Sequence, residues 1–176
     1  MSIVRIEMKS KTSENSKTIH TDSVLPADAN SLNGLFGGEL LARMDRVASI
    51  AAAKHSEEIV VTASVNNVSF GEPVPVGSIL TIEAKVSRAF NSSMEVFIDV
   101  WKQDKMNPKK VKVNEAIYTF VALNKSGKPV KVPQIIPETE IEKKRYAGAL
   151  RRRQLSLVLA GKLAAKDATE LKALFD

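Results

Sequence analysis

VLPADANSLNGLFGGELLARMDRVASI, residues 24–50, opens as loop and closes as helix. Pro26, Asp28, Asn30, Ser31, Asn33 and Gly34 crowd its first part, and residues of these types favour turns. From Leu35 to His55 the pattern turns helical, with no proline between Ala27 and Glu72. Leu, Ala, Met, Glu and Arg dominate this stretch, all good helix formers. Leu40, Leu41, Met44, Val47, Ala48, Ala51 and Ala52 recur at steps of three and four, the spacing of one helix face. So little of the helix is polar that it is expected to be largely buried, not a surface amphipath.

Asp45 interrupts that apolar face. Three and four residues away lie Leu41, Ala42, Ala48 and Ser49, none of them a cation. Arg43 and Arg46 are two and one residues away and point to other faces. If the face packs on a sheet, a carboxylate is held in or near the core, where desolvation raises its pKa and an unpaired charge is costly. A residue in mid-helix cannot be an N-cap. Two uses remain. A partly buried carboxylate near a polar loop is a candidate general base for water; alternatively Asp45 hydrogen-bonds to a loop or a neighbouring subunit and fixes register. Gly34, Gly37 and Gly38 cluster where the helix begins. Free N–H groups and the positive end of the dipole lie there, and glycine lets a substrate approach the backbone closely. The pair Gly37 and Gly38 suits an oxyanion hole, or else tight packing against a strand. Asn30, in the loop, offers a donor and an acceptor to a water or a carbonyl, or makes an ordinary Asx turn.

Outward from the helix the period falls to two. Residues 17–25 read as a first strand ended by Pro26. Residues 58–70 are β-branched and uninterrupted. In 79–90, Leu80, Ile82, Ala84 and Val86 alternate with Thr81, Glu83, Lys85 and Ser87; in 94–101, Met94, Val96, Ile98 and Val100 point one way; residues 110–124 form a long last strand. Turn-bounded alternating strands of this kind predict an antiparallel meander. Two helical segments, about 138–154 and 156–175, follow. The fold class is therefore α+β: one apolar helix against one antiparallel sheet, with a helical tail. A sheet wrapped around such a helix is the shape of the hotdog fold. Residues 1–17 read as a flexible leader, 18–133 as the main domain and 134–176 as a helical extension.

Composition narrows the chemistry. The 176 residues contain no cysteine and only two histidines, His20 and His55. Disulfides, thiolate metal sites and a cysteine nucleophile are excluded, and a histidine-rich metal site is not expected. No apolar run approaches the roughly 20 residues of a membrane span, and the polar N-terminus lacks the apolar centre of a signal peptide; a cytoplasmic protein without membrane insertion is expected. The net charge of +6 suits an anionic partner such as a phosphorylated small molecule or nucleic acid, or else is a solvated surface. No nucleic-acid motif is present. The runs 143–146 and 151–153 suit phosphate contact or a solvated helix face.

The segments LPADANSLNGLFGGELLARMDRVASIAAAKH, VVTASVNNVSFGEPVPVGS, NSSMEVFIDVW and FVALNKSGKPVKVP, taken in this order and spacing over residues 18–150, closely resemble the acyl-coenzyme A thioesterases of the hotdog superfamily. The nearest group holds bacterial acyl-CoA hydrolases and the cytosolic long-chain acyl-CoA hydrolase. The resemblance implies hydrolysis of an acyl-CoA thioester to a free acid and CoA, with no cofactor beyond the CoA of the substrate. It implies a site at a subunit interface, where Asn30 of one protomer faces Asp45 of the other. Asp45 would activate water or attack the carbonyl itself, the N–H groups of Gly37 and Gly38 would hold the oxyanion, and Thr62 would support. For the CoA end it points to Asn91, Ser92, Ser93 and Phe70. It further implies a homo-oligomer, a dimer at least and a hexamer built as three dimers. The segment after about 155 has no counterpart in the resemblance. Two other readings stand beside it: a hotdog hydratase or dehydratase, which needs a catalytic histidine, and a non-catalytic acyl-CoA binder.

Overall fold

The structure, a computed structural model, describes residues 9–174. The described residues up to Ile136 form one compact unit and those from Pro137 a second. In the first unit the chain runs β1 (Lys11–Thr12), α1 (Ser13–Ser16), β2 (Thr18–Ser23), a 3-10 turn at Pro26–Asp28, α2 (Gly37–Ser56), β3 (Ile59–Phe70), β4 (Ile79–Ala89), β5 (Ser93–Asp104), β6 (Asn107–Leu123) and β7 (Ile135–Ile136). The five longer strands form one antiparallel sheet in the order β2-β4-β5-β6-β3.

The alternation seen in the sequence explains what the sheet buries. Ile82, Ala84 and Val86 of β4 oppose Val100, Ile98 and Val96 of β5; Val96 and Met94 oppose Tyr118 and Phe120 of β6. All are buried, and α2 lays Met44, Val47, Ala48, Ala51 and Ala52 among the buried core residues of the same unit. Each buried Val, Ile or Met side chain contributes about 1.5–3 kcal/mol. The alanines matter for a second reason: with only a methyl group each, they let the helix lie close to the sheet.

Three expectations change. The strands are not a simple meander. Only β4, β5 and β6 follow one another; β3, which leaves the end of α2, pairs with the far side of β6 and becomes the margin of the sheet. The helix α2 is buried along one stripe, while Gly38, Arg46, Ile50 and Lys54 are exposed, so the described residues cover only one side of it. The leader is also shorter than expected. Residues 1–8 of the expected leader lie outside the described residues, but β1 pairs in parallel with β7, and α1 is built into the fold. A bulge in β4 between Val86 and Arg88 breaks the ladder, and there the Ser13 hydroxyl donates to the Val86 carbonyl (3.0 Å) while the Ser16 oxygen accepts the Val86 N–H (2.9 Å). Both serines are buried. They satisfy Val86 backbone groups two residues past Ala84, the last residue of β4 that β2 pairs at this end.

The second unit holds α3 (Glu140–Leu159), a 3-10 turn at Ala165–Asp167 and the short α4 (Thr169–Lys172). The break expected near residue 155 is absent: one helix runs through it, and the expected second helix is reduced to α4. The N-terminus of α3 is closed by a capping box, Thr139 with Glu142, a pairing that fixes a helix start. Among the described residues no helix is long and apolar enough to cross a membrane.

Candidate active site

Asp45 sits in the middle of α2, but at the margin of its buried stripe, half-exposed instead of enclosed in the core. This corrects the deeper placement expected from its apolar neighbours. The stripe is centred on Met44, Ala48 and Ala51, one position round, and Asp45 faces the outermost strand. There the Thr62 hydroxyl of β3 donates to Asp45 Oδ1 at 2.7 Å. The adjacent arginines are engaged elsewhere, with Arg43 Nε and Arg46 Nη2 both reaching Glu39, at 2.9 and 3.5 Å. Among the described residues no cation pairs with Asp45. The carboxylate therefore has one oxygen held in place and one open.

Tyr118 completes this side of the site, and sequence reading gave it no role. Its ring is buried in β6 opposite β3, and its hydroxyl donates to the Leu41 carbonyl at 3.1 Å, one helical turn before Asp45. Burial first, and the charge of Asp45 second, push its pKa to about 12. Tyr118 thus keeps its proton at neutral pH and acts only as a donor. A tyrosine in a strand carries no sequence signal for this; only its position opposite β3 gives it away.

A second cluster lies at the start of α2. Asn30 is exposed, and its Oδ1 accepts the N–H groups of Leu32 (2.9 Å) and Gly34 (3.1 Å). Its carbonyl is spent on shaping the loop, which fixes the orientation of the amide and leaves the NH2 group as the part that can reach a ligand. The Asx turn and the ligand-binding role weighed for Asn30 are therefore compatible. Phe36 precedes the helix with no side-chain cap, so the first N–H groups, at Gly37 and Gly38, lack an intrahelical or capping partner. A Cβ on Gly37 would stand 3.4 Å from the Phe70 ring, and one on Gly38 would stand 2.7 Å from a Phe36 ring carbon. Gly38 thus admits no side chain without displacing that ring. Phe36 and Phe70 are exposed and lie against Gly38 and Gly37, so they frame these N–H groups with apolar surface; Leu32, in the preceding loop, is exposed as well.

Gly37 and Asp45 are eight residues apart on one helix, about 12 Å along its axis. One protomer therefore builds two half-sites: Asp45 with Thr62 and Tyr118, and Asn30 with Gly37, Gly38 and Phe70. The third group expected from sequence goes elsewhere. Asn91, Ser92 and Ser93 form the β4–β5 turn, with the Asn91 and Ser92 carbonyls accepting from Val132 (3.0 Å) and Ala122 (2.9 Å). Ser93 is in register with Val121 and, through it, Val61; Met94 is in register with Phe120 and Thr62. Neighbours in a strand face opposite ways, so Ser93 lies on the sheet face away from Thr62 and Asp45.

Beneath the loop lies Arg43, 7% exposed. Its Nη2 donates to Asp28 at 2.7 Å and its Nε to Glu39 at 2.9 Å, with Asp22 at 3.6 Å from Nη1. Burial works against its charge, but Glu39 and Asp28 outweigh it and raise its pKa. Asp28 is held below the usual carboxylate range by the Leu25 N–H and by Arg43.

The profile of the thioesterase superfamily matches residues 32–109. The chain is 42% identical over 127 residues to YkhA of Bacillus subtilis, described as an uncharacterized acyl-CoA thioester hydrolase, covering 72% of this chain and 74% of that one. This chain belongs to the hotdog acyl-CoA thioesterases. Its fold agrees with that of an apo-hexameric acyl-CoA thioesterase (TM-score 0.84, 39% identity, 86% of this chain and 97% of that chain). It also agrees with the acyl-CoA hydrolase from Staphylococcus aureus in complex with butyryl coenzyme A, coenzyme A and coenzyme A disulfide (TM-score 0.80, 38% identity, 93% of this chain and 99% of that chain). Structures of the S. aureus hydrolase include variants with an aspartate, a threonine or an asparagine replaced by alanine, the last with coenzyme A bound. The thioesterase described here carries these three residue types in its two half-sites.

Proposed function

We propose that this thioesterase hydrolyses acyl-CoA to a free acid and coenzyme A in sites shared between two copies of the chain, with Asp45 of one copy and Asn30 of the other on either side of the thioester. The observation that carries this is the split site: an acid with one oxygen open and no cation, and a set of donors about 12 Å away along the same helix, too far to act on one carbonyl. The uncovered margin of the sheet supplies the means of joining them. Among the described residues no strand pairs with the outer side of β3, and Ile59, Val61 and Val65 are exposed along it. Such an edge is a template for a second strand, and a two-fold contact makes it self-complementary.

In this arrangement Thr62 holds Asp45 while its free oxygen takes a proton from water. The water attacks the thioester carbon, the carbonyl oxygen gains negative charge, and the Asn30 NH2 group and the N–H groups of Gly37 and Gly38 receive it. Each donor of this kind is worth about 3–4 kcal/mol of barrier. The C–S bond then breaks, and the leaving thiolate takes the proton held by Asp45 and departs as CoA, which returns Asp45 to its carboxylate form. The steps use only side chains, backbone and water. Phe36, Phe70 and Leu32 offer the acyl or pantetheine part an apolar wall. The adenine nucleotide end is assigned to the basic surface of the assembly and to the turn 91–93 of another subunit, because the turn of the same protomer faces away. A hexamer built as three dimers, supported as far as the hexamer goes by the hexameric relative, and a cytoplasmic location complete the reading. The histidines do not favour a hydratase: His55 is fully buried and bonded to the Pro133 carbonyl at 2.7 Å, and His20 lies beside Asp22 on β2.

Thiol release from acyl-CoAs of increasing chain length tests the reaction, and the cysteine-free enzyme adds no background. Asp45→Ala is expected to lower kcat by about 10²- to 10⁴-fold. Mixing inactive Asp45→Ala with inactive Asn30→Ala should restore about one quarter of wild-type activity, because half of the dimers are mixed and each holds one intact site. No recovery after subunit exchange would reject the shared site.

A further inference from the structure

We propose that Arg43 is a positioning residue: it sets the place of Asn30 by tying the loop to the helix that carries the acid. The inference rests on Asn30 acting in the reaction as proposed above. Arg43 and Asp45 are two residues apart on α2 and so point about 200° away from each other. The helix thus presents Asp45 outward to β3 and Arg43 inward beneath the loop. One guanidinium there joins three elements. Nε grips Glu39 one turn back on α2 (2.9 Å), Nη2 grips Asp28 of the loop (2.7 Å), and Nη1 faces Asp22 of β2 at 3.6 Å, buried and without a hydrogen bond of its own.

Asp28 passes the constraint on. Its second function is to accept the Leu25 N–H (2.8 Å), while its backbone carbonyl accepts the Phe36 N–H (2.8 Å) at the threshold of the helix. Asn30 stands two residues further on, closed against Gly34 by two bonds, its N–H to the Gly34 carbonyl (2.7 Å) and the Gly34 N–H to its Oδ1 (3.1 Å), while the Leu32 N–H also donates to Oδ1 (2.9 Å). The loop from Leu25 to Phe36 is therefore internally closed, and Arg43–Asp28 is the side-chain bond that fastens it to α2. A lysine in place of Arg43 keeps the charge but is a single point donor, unable to hold Glu39 and Asp28 in the two directions a planar fork supplies.

The test is a set of kinetic cycles with full acyl-CoA turnover and melting temperature measured on the intact assembly. Asn30→Ala alone tests the underlying reading: if it retains wild-type kcat, Asn30 has no role and the failure lies there. If Asn30→Ala is impaired, Arg43→Lys and Arg43→Met are expected to lower kcat roughly 10- to 100-fold, the scale of a 1 Å misplacement, with KM changed less than about threefold. Added to Asn30→Ala, either substitution should lower kcat by less than about twofold, since residues acting through one another are not additive. Asp28→Asn, which removes the charge but leaves an oxygen for Leu25, should reproduce the kcat loss and show no further loss with Arg43→Met. If Arg43→Met does not fold, Arg43→Lys and Asp28→Asn decide alone. Wild-type kcat in Arg43→Lys and Asp28→Asn, or losses that multiply with that of Asn30→Ala, would overturn the proposal.

Discussion

The C-terminal end of α2 is tied down and its N-terminal end is left open. At the C-terminal end Glu57 takes a left-handed conformation (φ 59°) and its N–H donates to the Ala53 carbonyl at 2.8 Å. The Lys11 ammonium donates to the His55 carbonyl at 2.8 Å and pairs with Glu57 at 2.5 Å, a cation where the helix dipole is negative. The buried His55 ring donates from Nε2 to Pro133 O, because a carbonyl can only accept. At the N-terminal end there is no side-chain cap, two glycines replace side chains, and the exposed rings of Phe36 and Phe70 stand beside the first N–H groups. One end invests in stability. The other leaves donors unsatisfied, a cost that folded proteins tolerate where a ligand supplies the missing acceptor.

Substitutions at the two ends should therefore separate activity from stability. Gly38→Val is expected to have the largest effect: the new side chain must displace the Phe36 ring and crowds access to the backbone N–H of its own residue, so kcat falls about 100-fold, the scale of one donor put out of reach, and the melting temperature stays within a few degrees. A variant that instead melts much earlier with unchanged kcat would reverse the assignment of the two ends. His55→Leu should do the opposite. It strands the buried Pro133 carbonyl at a cost of about 1–3 kcal/mol and lowers Tm by roughly 2–4 °C per kcal/mol in a chain of this size, with turnover unaffected below the melting range. The same histidine gives the pH dependence its sign. Burial lowers its pKa from the ordinary value of 6.5, so below that value the unfolded chain binds the proton more readily than the folded one. The contribution is complete above pH 6.5 and is lost as pH falls from 6.5 through the lower folded value; thermal melts across this range should show a decline that His55→Gln flattens. The smallest effect belongs to Lys11→Met, about 0.5–1 kcal/mol for a partly exposed cation at a helix end. It is read by chemical denaturation, and no change at all would leave β1 and β7 alone holding that segment.

How much of this was legible depended on which physical signal was involved. Helix α2 and strands β3 to β6 announce themselves by period, since burial on one face imposes it. Strand order does not: β3 and β6 pair across the sheet, and nothing in residues 59–70 names the partner. Ser13 and Ser16 read as leader because polar residues are expected outside; their place came from bonds to Val86 of β4, which a sequence does not display. A break near residue 155 was expected between two helical segments, yet a helix already nucleated by Thr139 and Glu142 runs on to Leu159. Asp45 was legible as an anomaly, and Asn30, Gly37, Gly38 and Thr62 through the resemblance. Tyr118 and Arg43 were not. One looks like any buried aromatic, the other like any surface cation, and only their partners distinguish them.

The bare outer row of β3 has a consequence for the newly made subunit. Until the proposed two-fold contact covers it, this edge and its line of isoleucine and valine side chains are open to any extended peptide, including other unfinished chains. On that proposal, fast pairing of subunits would shield the edge from aggregation during biosynthesis.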